Sequence, residues 1–238
     1  MNIALIGYGK MGKAIEAVAL ERGHEVVLKI DVSNAHELDA EHISNADVAI
    51  EFTGPHTAFD NLVKLIGLGI PVVSGSTGWL QKMPELMNMI NLHDGTFLYA
   101  SNFSIGVNLF FELNRKLAAL MHKHGTYSVS LEEIHHTEKK DAPSGTAITL
   151  AEQVMEVYTE KTKWVNDTLP QPEELLITSK RIDPAPGTHT ITYSSEIDDI
   201  AITHTAHNRK GFALGAVLAA EFIKDKKGVF SMKDVLDL

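Results

Sequence analysis

Cysteine is absent from this chain of 238 residues. That excludes a disulfide framework, a thiolate metal site and a cysteine nucleophile, and leaves nothing that points to an oxidising compartment. Long apolar runs are missing as well, since none approaches the ~20 residues that a membrane helix needs. Met1 leads straight into Asn2-Ile3-Ala4-Leu5-Ile6 without the basic region and cleavage site of a signal peptide. The expectation is a cytoplasmic protein with no membrane partner. Positive charge is scarce, with 21 Lys and Arg against 31 Asp and Glu and a formal net charge of -10. The basic residues form no stripe with interleaved aromatics, so a phosphate backbone would be repelled and nucleic acid is not expected as a partner. There is no internal repeat and no low-complexity segment. What is present is a 44% hydrophobic content, enough for one large or two modest globular domains.

The first hundred residues alternate short β-branched runs with helical patterns. Strands are expected at Asn2–Ile6, Glu25–Ile30, Val48–Phe52, Pro71–Ser74 and Thr96–Tyr99, and helices at Lys10–Arg22, Thr57–Leu68 and Pro84–Leu92. Such βα units predict an α/β fold with a parallel, Rossmann-like sheet. The pattern changes near Ser104. A long helical stretch from Val107 to Lys123 leads into the alternating Tyr127–Leu131, and a helix follows Ser144. Lys161 to Glu173, with two prolines and little periodicity, reads as an ordered loop. Thr188–Ser195 and Ile200–Ala206 alternate around Asp198-Asp199, which predicts an antiparallel hairpin. The second domain should therefore be α+β with a mixed or antiparallel sheet. Gly211–Ile223 is an apolar helix, and Ser231–Leu236 a capped final turn.

Gly7-Tyr8-Gly9-Lys10-Met11-Gly12 follows the first strand directly and opens the first helix, which is the context of a dinucleotide-binding turn. Asp31 ends the second strand 19 residues beyond Gly12, where a carboxylate accepts hydrogen bonds from an adenosine ribose. Val32 and Ser33 come next, so no basic residue stands immediately beside Asp31 to receive a 2′-phosphate. NADH is the expected cofactor; NADPH is the alternative, because Lys29 is close in sequence. Gly75, Ser76 and Thr77 lie at the carboxyl end of the fourth strand, where ligands of open α/β sheets bind.

The stretch Glu133-Ile134-His135-His136-Thr137-Glu138-Lys139-Lys140-Asp141-Ala142-Pro143-Ser144-Gly145-Thr146-Ala147 gathers two imidazoles, an ammonium group and a helix opening. Histidine is readily poised near neutral pH, and a lysine four positions from His135 can hold an anion or act as an acid. His135 and Lys139 are thus the candidates for proton chemistry. Ser144, Gly145 and Thr146 present helix-opening N–H groups and the positive end of a helix dipole to a carboxylate or phosphate. The expected partner is a small dicarboxylate. Glu133 either orients a histidine or ends a strand. A metal is not expected, since adjacent histidines on a strand point to opposite faces and zinc sites need three or four converging ligands. His204 and His207, near Arg209 on the late strand and its end, read as structural.

The whole E-x-H-H-x-x-K-x-D-A-P-S-G-T-A segment closely resembles the signature of the dihydrodipicolinate reductase family. Gly7–Gly12, Glu51-Phe52-Thr53, Ser74–Thr77, Ala100–Asn108 and Met232–Leu236 support the likeness from end to end. The resemblance implies NAD(P)H-dependent reduction of 4-hydroxy-tetrahydrodipicolinate in lysine and diaminopimelate biosynthesis. It assigns acid, base and proton donation to His135 and Lys139, substrate contact to His136, and carboxylate binding to Ser144, Gly145 and Thr146. It assigns cofactor contact to Gly75, Ser76, Thr77, Ala100, Ser101, Asn102 and Phe103 near the hinge. It further implies a homotetramer and a tail that returns to the first domain, giving residues 1–103 plus 209–238 for dinucleotide and 104–208 for substrate and oligomerisation. The chain departs from the family pattern at Thr137 and Glu138, where basic residues are common, and after Arg181, which lacks an early glycine. A redox-sensing module that holds NAD without turnover, or a dehydrogenase acting on another substrate such as aspartate, are the rival classes. Only the 133–147 segment separates them from the reductase.

Overall fold

The computed structural model describes every residue of the chain except Arg209. Residues Met1–Asn108 with Lys210–Leu238 form one compact unit, and Leu109–Arg209 a second.

In the first unit, β1 (Asn2–Ile6), α1 (Lys10–Glu21), β2 (Glu25–Ile30), the short α2 (Ala40–Ile43), β3 (Val48–Glu51), α3 (Ala58–Gly67), β4 (Val72–Ser74), α4 (Met83–His93) and β5 (Thr96–Tyr99) follow one another. The inner strands are largely apolar because both faces of the sheet are covered, whereas the edge strand β2 exposes Glu25, Val27 and Lys29, and period-two alternation sends neighbours to opposite sides. Ile3 and Leu5 face a core with Ile15 and Val18 of α1, whereas Ala4 and Ile6 face one with Leu62, Leu65 and Ile66 of α3 and Leu86 and Ile90 of α4. After the second unit the chain returns through α7 (Lys210–Ile223), β11 (Gly228–Phe230) and α8 (Met232–Leu236). The small residues Ala213, Ala216, Ala219 and Ala220 of α7 let it approach closely. A Cβ on Gly215 would lie 1.7 Å from the Phe103 carbonyl oxygen. Ser231 N–H and hydroxyl both donate to the Asp234 carboxylate, bounding α8 as its sequence predicts.

The sheet is all-parallel with strand order β11-β5-β4-β3-β1-β2. Strand order reverses between β1 and β3, so the Gly7–Gly12 turn and the Phe52-Thr53 end of β3 flank the switch point where open α/β sheets bind ligands. β11 was not expected from the sequence. Three residues are too few to show a period, and the strand exists because it pairs with β5.

The second unit contains α5 (Ile105–Met121), whose first residues belong to the first unit, then β6 (Ser128–His135), α6 (Gly145–Val157), β7 (Lys163–Asn166), β8 (Glu174–Arg181), β9 (Gly187–Ser194) and β10 (Asp199–Ala206). Its sheet is mixed, in order β10-β9-β6-β8-β7. α5 and α6 cover one face, where Val129 and Leu131 of β6, Leu175 and Ile177 of β8, and Ile191 and Tyr193 of β9 meet Phe110, Ala118, Leu150 and Val154. The other face carries hydroxyls, with Thr188 opposite Thr205 at 3.2 Å and Thr190 opposite Thr203 at 3.0 Å. The stretch expected as a loop, 161–173, contains β7, and the unexpected β8 follows it. β7 is a four-residue edge strand without clean alternation, and it is held by parallel pairing with β8 rather than by its own pattern. Among the described residues no helix is long and apolar enough to cross a membrane.

Candidate active site

At the nucleotide end, β1 delivers its chain into a turn that only glycine fits. Gly7 has φ +102°, and a Cβ there would stand 2.2 Å from the Phe52 carbonyl oxygen. A Cβ on Gly12 would stand 2.5 Å from the Gly7 carbonyl oxygen, which sets how closely α1 approaches β1. Gly9, by contrast, faces open space, so its backbone is accessible to a ligand. The N–H groups of Gly7 and Tyr8 both donate to the Ile30 carbonyl at 2.9 Å and tie the turn to the end of β2. Lys10 is exposed and Met11 half-buried. Asp31 is exposed at that end, and Oδ1 accepts from the Ser33 N–H at 2.7 Å and hydroxyl at 2.6 Å. Chiefly through the Ser33 hydroxyl, its carboxyl is held below the ordinary range. These residues fit a dinucleotide: a tight turn with accessible backbone at the switch point, and an ionised carboxylate at the end of β2.

The other residues assigned to cofactor contact divide. Thr77 and Ser101 are exposed, and Gly75, Ala100 and Asn102 half-buried. Ser76 turns inward: its hydroxyl donates to Glu51 Oε1 at 2.7 Å and accepts from Thr53 N–H at 2.8 Å. Phe103 is a core side chain, 2% exposed, with its ring 5.6 Å from that of Phe52. The side chains of Ser76 and Phe103 thus point into the unit, and both residues are almost wholly buried. Both side chains fill the space that closes the sheet end. The buried Glu51, which also accepts from Ser74 Oγ at 2.6 Å and from Thr53, organises this end and was not singled out by the sequence.

At the chemical end, β6 keeps one face against the helices along its whole length, but the residues on that face change character. Val129 pairs with Tyr193 and Leu131 with Ile191, and then Glu133 pairs with His189 on β9. On the other flank Glu133 meets Ser179 and His135 meets Arg181, both on β8. The apolar core thus gives way, in register, to a polar cluster of Glu133, His135, Ser179, Arg181 and His189. The Glu133 carboxylate, fully buried, is its centre. It accepts from Ser144 N–H at 3.0 and 3.2 Å, from Ser179 Oγ at 2.9 Å and from Arg181 Nη2 at 3.1 Å. Burial by itself pushes the carboxyl up, but the contacts from His135, Ser144 and Ser179 outweigh it and hold the group far below the usual carboxylate range.

Glu133 also stands beside His135, whose Nε2 is 3.4 Å from Oε2 but off the line of a hydrogen bond. His135 Nδ1 is 3.3 Å from the Pro186 carbonyl, so the ring is fixed from two sides. His136, just past the strand, is half-buried, and its carbonyl accepts from Lys139 N–H at 3.2 Å in a tight turn. Lys139 Nζ lies 2.7 and 2.8 Å from the exposed Asp141 carboxylate. The loop that carries Lys139 is anchored to β8 and the segment beyond it. Arg181 donates to the carbonyls of Lys139 at 3.2 Å and Asp141 at 2.6 Å, and Asp183 accepts from Thr137 N–H at 3.1 Å and hydroxyl at 2.6 Å.

Ser144 is the N-cap of α6, with its Oγ accepting from Ala147 N–H at 3.2 Å and lying 3.2 Å from His189 Nε2. Its hydroxyl is thus occupied and buried, while Gly145 is exposed onto open space and Thr146 half-buried. The first amides of a helix have no intrahelical acceptor, so the Gly145 and Thr146 N–H groups are the part of the opening that can meet an anion. His189 is pushed down to about 4, first by burial and then by His135, and is neutral near neutral pH.

Glu133, His135 and His189 place ligand atoms within 4.8 Å of one another, the geometry in which a metal ion can be held. This trio differs from the adjacent-histidine set weighed in the sequence. Arg181 already neutralises the one carboxylate, and a dication would be brought against that guanidinium, so the cluster is an ion-pair network in character. Arg181 and His189 are site residues that the sequence reading missed. Their signal was faint, since both occur in the segment after β8 begins, where only the pairing of β8 and β9 with β6 reveals their neighbours. His204 stands opposite His189 in the β9–β10 register and packs against Phe110 with ring centroids 5.9 Å apart. Arg209, expected at the domain boundary, lies outside the described residues.

Two family models match in succession: the N-terminal part of dihydrodipicolinate reductase over residues 1–103 and its C-terminal part over 106–236. A 4-hydroxy-tetrahydrodipicolinate reductase of Christiangramia forsetii is 52% identical, with 99% of this chain and 98% of that protein covered. One from Methanosarcina acetivorans is 33% identical over 99% of this chain and 89% of its own length. The fold is shared with a dipicolinate-bound dihydrodipicolinate reductase from Paenisporosarcina sp. TG-14, at a TM-score of 0.77, 22% identity and 97% coverage of both chains. Since both halves of the chain and relatives matched end to end agree, this chain belongs to the dihydrodipicolinate reductase family.

Proposed function

We propose that the protein reduces 4-hydroxy-tetrahydrodipicolinate to tetrahydrodipicolinate, with loss of water, in lysine and diaminopimelate biosynthesis, drawing its hydride from NADH in preference to NADPH. The observation that carries the reading is the Glu133 network, which holds His135, the loop bearing Lys139 and the opening of α6 together at the end of β6. Membership of the family supplies the reaction. The first unit is the nucleotide domain. The second binds substrate and, as the family resemblance implies, builds a cytoplasmic homotetramer.

When bound, NAD(P)H supplies a hydride, and the protein must supply position and a proton. Gly7–Gly12 would hold the pyrophosphate through their backbone, and the Asp31 carboxylate would accept from the ribose hydroxyls. The Gly145 and Thr146 N–H groups, with His136, receive one carboxylate of the substrate. Lys139 exchanges the Asp141 carboxylate for the substrate and, with His135, delivers the proton. Glu133 and Pro186 keep the His135 ring in one orientation, and Arg181 keeps the backbone of Lys139 in place. Support for a dicarboxylate comes from the dipicolinate held by the structural relative of Paenisporosarcina.

Calorimetry tests this assignment. Pyridine-2,6-dicarboxylate, a planar mimic of the substrate ring, is expected to bind the wild type, because charge-assisted hydrogen bonds to backbone N–H and ammonium groups are strong. Thr146→Val with Lys139→Ala should weaken it while leaving NADH affinity unchanged. Undiminished dicarboxylate binding in the double variant would place the anion site elsewhere.

A further inference from the structure

Two lysines approach the nucleotide end, although none adjoins Asp31 in sequence. Lys13 and Glu16 stand one turn apart on α1, and Lys29 is two residues before Asp31. All of them meet at Tyr8. The Lys29 ammonium lies 5.0 Å from the centroid of the Tyr8 ring, and that of Lys13 lies 5.9 Å from it. Lys29 Nζ is 2.5 Å from Glu16 Oε1, and the Tyr8 hydroxyl donates to Glu16 Oε2. Both oxygens of Glu16 are therefore engaged, one by the cation and one by the phenol. Lys13 is near enough to contribute, after Ser33 and Asn34, to keeping Asp31 ionised.

Asp31 and Glu16 balance Lys13 and Lys29, so the cluster carries no net charge. NADPH differs from NADH by a 2′-phosphate dianion, which docks at the end of the second strand of such a fold and needs a cation there. Lys29, on β2 two residues before Asp31, is paired with Glu16 and stacked on Tyr8. We infer that Glu16 is a specificity-determining residue: by engaging Lys29 through a carboxylate braced by Tyr8, it withholds the ammonium that a 2′-phosphate would use. Discrimination against NADPH then has two parts, repulsion by Asp31 and sequestration of Lys29 by Glu16. This rests on the reading of Gly7–Gly12 and Asp31 as the NAD(P)H site.

Glu16→Gln keeps the size of the side chain and a hydrogen bond to Tyr8 while leaving the cluster with one net positive charge. The test is direct titration of NADH and NADPH into the wild type, Glu16→Gln, Glu16→Gln with Lys29→Met, and Asp31→Ser. Binding of pyridine-2,6-dicarboxylate, which depends on the other unit, reports that each variant is folded. Glu16→Gln should tighten NADPH relative to NADH by about fivefold, the weight of one ion pair near a protein surface. The gain should shrink as salt is raised, and Lys29→Met should abolish it. An unchanged NADPH to NADH ratio in Glu16→Gln, while Asp31→Ser shifts it, would overturn the role of Glu16 and leave the nucleotide site standing. A gain that survives Lys29→Met would also overturn it, since the ammonium released would not be that of Lys29. A folded wild type that binds neither nucleotide would sink the underlying site and the inference with it.

Discussion

Glu133 is a carboxylate with no exposed surface, and an ion so placed is tolerated only if donors and a cation surround it. Ser144 N–H, Ser179 Oγ and Arg181 do so, which makes Glu133 the point where the loop before α6 and the sheet are joined. His189, opposite it on β9, has the contrary demand, because burial favours its neutral form. Its ring, pushed down to about 4 when folded, titrates near 6.5 in the unfolded chain, so the unfolded state binds more protons between those values. The stability it contributes is complete above about 6.5 and is lost as pH falls toward about 4. Urea unfolding of wild type and His189→Gln across that window should show the wild type losing on the order of 3 kcal/mol relative to the variant. A constant difference between the two would mean that His189 charges as easily folded as unfolded.

The candidates for proton chemistry and anion binding were legible because they are close in sequence. His135, Lys139 and Ser144–Thr146 fall in one segment, and the structure gathers them around the end of β6. The dependence of that segment on Arg181 and His189 was hidden, because neighbours across a sheet are fixed by register and not by spacing along the chain. Side-chain direction was hidden too. Ser76 and Phe103 sit in loops typical of ligand contact, yet one donates to Glu51 and the other fills the core.

Among the elements, the βα alternation of the first hundred residues was readable because each strand is an apolar run bounded by turn residues and each helix has an apolar face. β7, β8 and β11 were not, since two of them are too short to show a period and β8 follows a proline-containing stretch without a turn signal to announce it. The hairpin of β9 and β10 alternates apolar residues at Ile191, Tyr193, Ile200 and Ile202, a pattern that does not say what covers them. Ile191 and Tyr193 are fully buried against α5 and α6 within the chain, and Ile202 packs beside them. The glycines of the β1–α1 turn make the sharpest prediction at this scale. Gly12→Ala forces a methyl within 2.5 Å of the Gly7 carbonyl oxygen, so α1 must shift away from β1. The first unit should lose about 1 to 3 kcal/mol, the usual cost of overpacking, and NADH affinity should fall, while calorimetry still records pyridine-2,6-dicarboxylate binding to the second unit. Full NADH affinity in this variant would show that the turn does not shape the nucleotide site.

For the whole molecule, one chain builds two units of different architecture, a parallel sheet covered on both faces and a mixed sheet that α5 and α6 cover on one face only. The uncovered face, with its rows of threonines, is where the proposed homotetramer would be built. Light scattering should give about four times the 26.1 kDa of a single chain; a monomer mass at working concentration would contradict that assembly. The central claim is that this molecule is a reductase whose proton chemistry rests on His135 and Lys139. It is tested most directly by following NADH oxidation with substrate generated in situ from pyruvate and aspartate semialdehyde. The account predicts oxidation that requires the substrate and drops by roughly 10²-fold or more in Lys139→Ala and in His135→Gln, the usual scale for losing a positioned acid or base, with NADH still bound. Near-normal turnover in both variants, or no substrate-dependent oxidation by a wild type that binds NADH, would contradict it.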